Sequence, residues 1–266
     1  MSFFEATILG LVQGLAEFIP VSSSGHLILA REFFSLASFE DLAVDAVLQL
    51  ATALAVLLYF RRDVLSLLRT FFRWIGRKPV SDTDSKMLLA IIIGTIPTVV
   101  FGLLLENYME TVFRNASLVA LALLAGSALM MFAEKRFNSS AVKEISAKMG
   151  FFVGLFQSLA LIPGVSRSGA TISGGLLNGL SRVEAARFSF LLSLPIILGS
   201  GIKKLLELNI GGSLSDIGLP LLLGAVVAFV SGFWAIKFLI NYLKTRTLNV
   251  FIIYRIVLAV LIFILL

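Results

Sequence analysis

Two apolar stretches, residues 3–34 and 149–180, are each broken near the middle by proline, glycine and clustered hydroxyl residues. The breaks read Pro20-Val-Ser-Ser-Ser-Gly25 and Pro163-Gly-Val-Ser-Arg-Ser-Gly169. Displaced by 144 residues, the first stretch falls on the second: Gly10, Leu11, Gln13, Leu15 and Ala16 match Gly154, Leu155, Gln157, Leu159 and Ala160. Val21, Ser22, Ser24 and Gly25 likewise match Val165, Ser166, Ser168 and Gly169, which makes nine identities in the seventeen positions from 10 to 26. Chance aligns a few leucines and alanines, but not Gln, Ser, Ser and Gly in one register. Each copy is followed by three apolar runs, at 42–60, 87–105 and 117–133 and at 185–203, 219–240 and 248–266, each near the ~20 residues that one membrane crossing needs. An odd number of crossings per copy sends the second copy in from the opposite face, so the repeats are inverted. A broken backbone at membrane depth is tolerated only where protein or a wet cavity satisfies it. The predicted fold is therefore an all-α integral membrane protein, one membrane domain over 1–266. It has six transmembrane helices plus two re-entrant helix–loop–helix hairpins, in a first repeat over 1–134 and a second, inverted repeat over 149–266.

The composition agrees. Of 266 residues 58% are hydrophobic and 14% charged, with a mean hydropathy of +0.99, whereas soluble domains carry about 25% charged residues. A soluble protein does not account for recurring apolar runs of about 18 residues. The absence of cysteine removes disulfides and thiolate metal sites. The amino-terminal segment lacks the basic region of a cleavable signal, so its apolar stretch is expected to belong to the mature chain. The net charge of +6 calls for no nucleic acid, because it is unevenly placed. Arg61, Arg62, Arg69, Arg73, Arg77, Lys78 and Lys86, then Lys135, Arg136, Lys143 and Lys148, then Lys237, Lys244 and Arg246 fall on one side of the six-span layout. The other side holds little beyond Arg31, Arg114, Lys203 and Lys204. Basic residues mark the cytoplasmic face, which predicts external termini, an external first hairpin and a second hairpin entering from the cytoplasm. The run 61–78 is expected along the inner membrane surface, where basic and aromatic residues favour anionic lipid; a solvated basic loop explains it equally well, and no specific lipid role follows.

Four polar features sit where apolar residues would be cheaper. Gln13 and Glu17 are four apart and share a helical face, and a carboxylate with an amide oxygen suits a hard cation such as Mg²⁺ or Ca²⁺. An ionisable group at that depth is by default functional; the plainer reading has Glu17 snorkelling at the interface. His26, the single histidine, follows Ser22, Ser23, Ser24 and Gly25, and a hydroxyl beside an imidazole is a minimal nucleophile and base; the plainer reading is helix capping. Arg167 stands where the first copy has Ser23. Its fork binds phosphate oxygens, and Gly164, Ser166, Ser168 and Gly169 around it resemble an anion nest. The plainer reading is a buried Arg167–Glu17 ion pair with no ligand, which leaves other donors of the fork unsatisfied. If inverted hairpins meet near the midplane, these groups converge as the parts of phosphoryl transfer.

Gln13-Gly-Leu-Ala-Glu17-Phe-Ile-Pro-Val-Ser-Ser-Ser-Gly-His26 and Pro163-Gly-Val-Ser-Arg-Ser-Gly-Ala-Thr171-Ile-Ser-Gly-Gly175 closely resemble the two signatures of the bacterial undecaprenyl-diphosphatase family of the bacitracin-resistance type. The resemblance covers essentially the whole chain. It implies removal of the terminal phosphate from undecaprenyl diphosphate, to recycle the lipid carrier for peptidoglycan synthesis. It also implies a divalent-cation requirement and a site open to the external side of the bacterial inner membrane. By that resemblance Glu17 is the essential carboxylate, Ser23 the nucleophile, His26 the base and Arg167 the diphosphate-binding arginine. Ser22, Ser24, Ser166, Ser168 and Thr171 are supporting phosphate contacts. Gln13 occupies a position where many relatives have Glu, which removes a charge from the expected metal site.

The rival reading is a transporter of polyprenyl phosphate using the same pocket, since inverted repeats with broken helices are also a transporter architecture. A binder of that kind needs Arg167 but not His26. Acid-phosphatase-like lipid phosphatases need two histidines, and this chain has one. A purely structural membrane protein leaves the intramembrane polar groups unexplained. Small residues such as Gly94, Gly102, Gly126 and Gly224 permit close helix packing within one chain or in a homodimer.

Overall fold

The computed structural model describes residues 1–34, 41–105, 108, 115–138, 144–210 and 214–265, so Arg114 and Lys143 lie outside the described residues. Every regular element among them is a helix. In chain order these are α1 (Phe3–Phe18), α2 (Ser23–Phe34), α3 (Asp41–Tyr59), α4 (Arg61–Ile75), α5 (Asp82–Leu104) and α6 (Ala116–Arg136). They continue with α7 (Ala147–Leu159), α8 (Arg167–Leu177), α9 (Arg182–Ile210), α10 (Leu214–Tyr242) and α11 (Asn249–Leu265). Local chemistry sets several starts. Ser2 and Glu5 form a reciprocal capping box on α1, and Asn115 and Ser146 cap α6 and α7 through their side chains, satisfying amides that a first turn leaves unpaired.

This is a multi-pass membrane protein. The helices α5, α6, α9 and α10 are long and apolar enough to cross a bilayer, and α3 joins them only when taken with α4, at an 87° bend. That bend falls at the end of the expected span at 42–60, which α3 occupies. It falls at Phe60, where Arg61 and Arg62 follow directly, and two charges cannot continue into hydrocarbon. The expected span at 248–266 is the apolar but shorter α11. Leu104, Leu222, Val257 and Ile264 remain 52–72% exposed, apolar faces of the kind lipid covers.

The predicted hairpins are helix–break–helix units: α1 packs on α2, and α7 on α8. Each outer arm then packs on a long helix of the other half of the chain, α1 on α10 and α7 on α5. Glycines let the backbones touch. A methyl on Gly94 would lie 2.6 Å from the Gly150 carbonyl oxygen, and one on Gly224 would lie 2.8 Å from that of Ala6; real contacts are not that short. The small residues Gly94 and Gly224 thus serve contacts within one chain. Between these arms the core holds Phe18, Phe188, Phe190 and Ile172, each no more than 2% exposed, with Phe18 edge-on to Phe190 at 5.2 Å. On one end Glu134 takes the Arg182 fork, the closest contact being 2.5 Å, and the Leu248 amide at 2.8 Å. It thereby fastens α6, α9 and the start of α11 together.

Candidate functional site

The two breaks meet, and they are built alike. Ser22 and Ser166, equivalent in the repeat, both have positive φ, 78° and 72°, a conformation that costs a non-glycine residue about 1–2 kcal/mol. Each is followed by the first turn of a helix, and each hydroxyl accepts from a glycine amide three residues on, Gly25 at 3.3 Å and Gly169 at 3.2 Å. The Ser22 hydroxyl also accepts the Gly164 amide of the other break at 3.1 Å, and the Ser168 hydroxyl donates to the Ile19 carbonyl at 3.4 Å. Gly164 has φ of +103°, and a side chain there would run into Val119 and Ala122 of α6. The breaks therefore cross-link one another through hydroxyls.

Arg255 of α11 holds the crossing from behind. It is fully buried. Its guanidinium donates to Gly164 and Val165 carbonyls at 2.9 and 3.0 Å, to Leu123 at 3.1 Å, to Pro20 at 3.4 Å and to the Ser127 hydroxyl at 3.1 Å. Those acceptors belong to both breaks and to α6. The sequence carried a signal for this residue, a lone charge inside the apolar run 248–266, where an unpaired cation at membrane depth calls for a purpose.

In front of the crossing, four expected residues gather. One Glu17 oxygen takes the Arg167 guanidinium. The other accepts Ser23 Oγ at 2.5 Å and Gln13 Nε2 at 2.9 Å. The Gln13 amide orientation follows, since its nitrogen must face a carboxylate. The ion pair of the plainer reading is thus present, yet it does not close the site. Arg167 Nη1 and Gln13 Oε1 are buried with no hydrogen-bond partner among the described residues. A buried unpaired donor costs about 1–3 kcal/mol, more when charged, so a purely structural pair would not retain one. Both α2 and α8 begin here, at Ser23 and Arg167, so two helix N-termini add positive potential at the same place.

His26 makes no hydrogen bond to Ser23. Its Nδ1 lies 2.7 Å from the Ser22 carbonyl and its Nε2 2.7 Å from the Tyr254 hydroxyl, with the two rings stacked at 5.7 Å. A carbonyl only accepts, so Nδ1 carries a proton, and Nε2 receives the Tyr254 O–H in the neutral ring. The remaining expected phosphate contacts have protein partners. Ser22 bridges the breaks, with Ser24 Oγ 3.4 Å from its own, and Ser166 caps α8, with Ser168 Oγ 3.3 Å away. Thr171 is fully buried, donating to the Arg167 carbonyl at 2.7 Å and touching the Ser189 hydroxyl at 2.5 Å. Tyr254 and Ser189 belong to no repeat or motif that sequence reading could use.

The donors suit a hard cation only in company. Among the described residues no three His, Asp or Glu side chains stand together to hold a metal. The Glu17 carboxylate and the unpartnered Gln13 Oε1 are oxygen ligands of the right kind, and Mg²⁺ commonly completes such a pair with water and substrate phosphate.

Comparison with known proteins places the chain in a family. A family model described as bacitracin resistance protein BacA matches residues 6–261. The chain is 42% identical to a protein named undecaprenyl-diphosphatase from Myxococcus xanthus, over 100% of this chain and 90% of the relative. It is 43% identical to one of that name from Chlorobium limicola, over 97% and 95% of the two chains. For another from Thermobifida fusca the identity is 42%, over 98% and 89%.

Proposed function

The chain belongs to the bacitracin resistance protein BacA family, and on that premise we propose that it hydrolyses undecaprenyl diphosphate to undecaprenyl phosphate and inorganic phosphate, as the names of its relatives state for them. One observation carries the reading at residue level: the contact chain Arg167–Glu17–Ser23, with a buried guanidinium nitrogen left to spare. Diphosphate oxygens entering beside Nη1, at the N-termini of α2 and α8, compete with Glu17 for the guanidinium and free the carboxylate. Glu17 then takes the proton from the hydroxyl it already holds, as Ser23 Oγ attacks the terminal phosphorus. The bond from that phosphorus to the bridging oxygen breaks, and the phosphate monoester leaves with the prenyl chain. Water then releases phosphate from the serine. If water occupies the attacking place instead, the same residues serve a single displacement, and either course consumes one water.

His26 makes no hydrogen bond to Ser23 and its Nε2 lone pair holds the Tyr254 hydroxyl, so it acts on water through that hydroxyl, which passes its proton to Nε2 as it takes one from water. A Mg²⁺ or Ca²⁺ ion, held by Glu17 and Gln13 together with diphosphate oxygens, would neutralise the charge that develops on the phosphate. Ser22, Ser166, Ser168 and Thr171 shape the backbone cradle, and Ser24 lines it.

The topology belongs to the same proposal. The helices α3 and α11 join the four long helices as crossings, which makes six, and the two hairpins enter from opposite faces of the inner membrane. The basic loops lie in the cytoplasm, so the site opens to the outside, where the product diphosphate of polymer transfer is found. The test is phosphate release from undecaprenyl diphosphate by purified protein, with Mg²⁺, Ca²⁺ or chelator. The expected result is cation-dependent release, reduced at least a hundredfold in Glu17→Ala, Ser23→Ala and Arg167→Ala with folding intact. A well-folded wild type that binds the lipid phosphate without releasing phosphate would instead favour a transporter.

A further inference from the structure

The helix α4 leaves α3 at 87°. If α3 crosses the apolar layer, α4 lies along its boundary. At 100° per residue α4 has three faces. Asp63, Ser66 and Thr70 turn to the protein: Thr70 is buried, Ser66 donates to Asp84 at 2.8 Å, and Asp63 pairs with Arg187 of α9. Leu65, Leu68, Phe72 and Ile75 form an apolar line, 48–67% exposed among the described residues. Arg62, Arg69 and Arg73, spaced by seven and four, form a basic line beside it. All three are exposed, and among the described residues none makes an ion pair. Arg77 and Lys78 extend the charge beyond the helix end.

We propose that α4 is a binding surface for anionic phospholipid, with the apolar line set among acyl chains and the Arg62–Arg69–Arg73 line holding headgroup phosphates. Charge complementarity and the adjacency of the two lines select this occupant. A soluble acidic partner would use the arginines but leave Phe72 and Ile75 in water. A zwitterionic bilayer would cover the apolar line but offer three guanidinium groups no net negative charge, its phosphates being balanced by their own headgroup cations. The proposal is independent of the catalytic reading, since no residue of the Glu17 site takes part.

A tryptophan on the apolar line reports on it directly. With Trp74→Phe, Trp234→Phe and Phe72→Trp the single tryptophan stands on that line, and its fluorescence can be followed in phosphatidylcholine vesicles containing either brominated phosphatidylglycerol or brominated phosphatidylcholine. Brominated phosphatidylglycerol is expected to quench more at equal mole fraction. The preference should shrink by up to about fivefold for each of Arg62→Gln, Arg69→Gln and Arg73→Gln, the weight of one surface arginine. Raising the salt, which shortens electrostatic reach, should shrink it with all three arginines present as well, so misfolding of a variant does not remove the test. Equal quenching by the two lipids at every salt concentration, or quenching by neither, would overturn the proposal. The second result would place the helix in water, facing a soluble partner.

Discussion

Adjacent serines at the first break should fail in opposite ways. Ser22 Oγ receives the amides of Gly25 and Gly164 at 3.3 and 3.1 Å, and the residue is 1% exposed. Ser22→Ala removes both acceptances at once. Leaving a buried N–H unsatisfied costs about 1–3 kcal/mol, so the pair implies roughly 2–6 kcal/mol, with the lower half of that range favoured where the cradle can admit water. At about 2–4 °C per kcal/mol for a chain of this size, the melting temperature in detergent should fall by at least about 5 °C. Ser22→Gly loses the same two bonds but relieves the positive φ, worth about 1–2 kcal/mol, so it should melt between wild type and Ser22→Ala. Ser23→Ala loses only a donor to Glu17 and should melt within about 2 °C of wild type, with phosphate release abolished. The assay is thermal unfolding beside phosphate release corrected for folded protein. Equal melting of Ser22→Ala and Ser23→Ala would refute the assignment of Ser22 to bridging the two breaks.

Other outcomes follow from single contacts. Gly154→Ala drives a methyl into the Gly94 backbone, whereas Gly199→Ala meets nothing within 4 Å; the first should lower the yield of folded protein and the melting temperature, the second neither. Tyr254→Phe removes the hydroxyl on His26 Nε2 and keeps the ring stack. Phosphate release should fall by about tenfold, below the roughly hundredfold or more of a general acid or base itself because the hydroxyl acts only through His26, with melting unchanged; full activity would show that the hydroxyl is idle. Gln13→Glu adds a second carboxylate to the proposed cation site, so half-maximal activity should need less Mg²⁺, and a requirement that does not move would remove residue 13 from metal binding.

Much of this was legible in the chain because the breaks carry a pattern. The repeat at a displacement of 144 residues located both helix–break–helix units, and the matched serines Ser22 and Ser166 do share one backbone geometry. The gathering of Gln13, Glu17, Ser23 and Arg167 followed from helical spacing plus the supposition that the hairpins meet. Sequence distance failed where side-chain direction decides. His26 is three residues from Ser23, yet its ring turns back to the Ser22 carbonyl and across to Tyr254, while Ser23 turns to Glu17. Arg255 stood in plain view as a charge within an apolar run, and reading that run only as a span hid it. The bend after α3 was legible in Arg61 and Arg62, which close the apolar run and open the basic one. The partner exchange of α1 and α7 has no local signature, because it joins residues far apart in the chain.

That exchange makes the two hairpins unequal during synthesis. When Gly154 emerges, Gly94 of α5 has already been made, so the second hairpin finds its seat waiting. Gly10 is about 210 residues ahead of Gly224, and at about 5–20 residues per second the first hairpin waits about 10–40 seconds for α10. For the first part of that interval, until residues 164–167 are made, Glu17 has no Arg167, the Ser22 hydroxyl has no Gly164, and the break is unsupported. A symmetrical product is thus reached by an asymmetrical route. The vulnerable step in making this protein is the interval before its last third exists, which is when the insertion machinery has most to shelter.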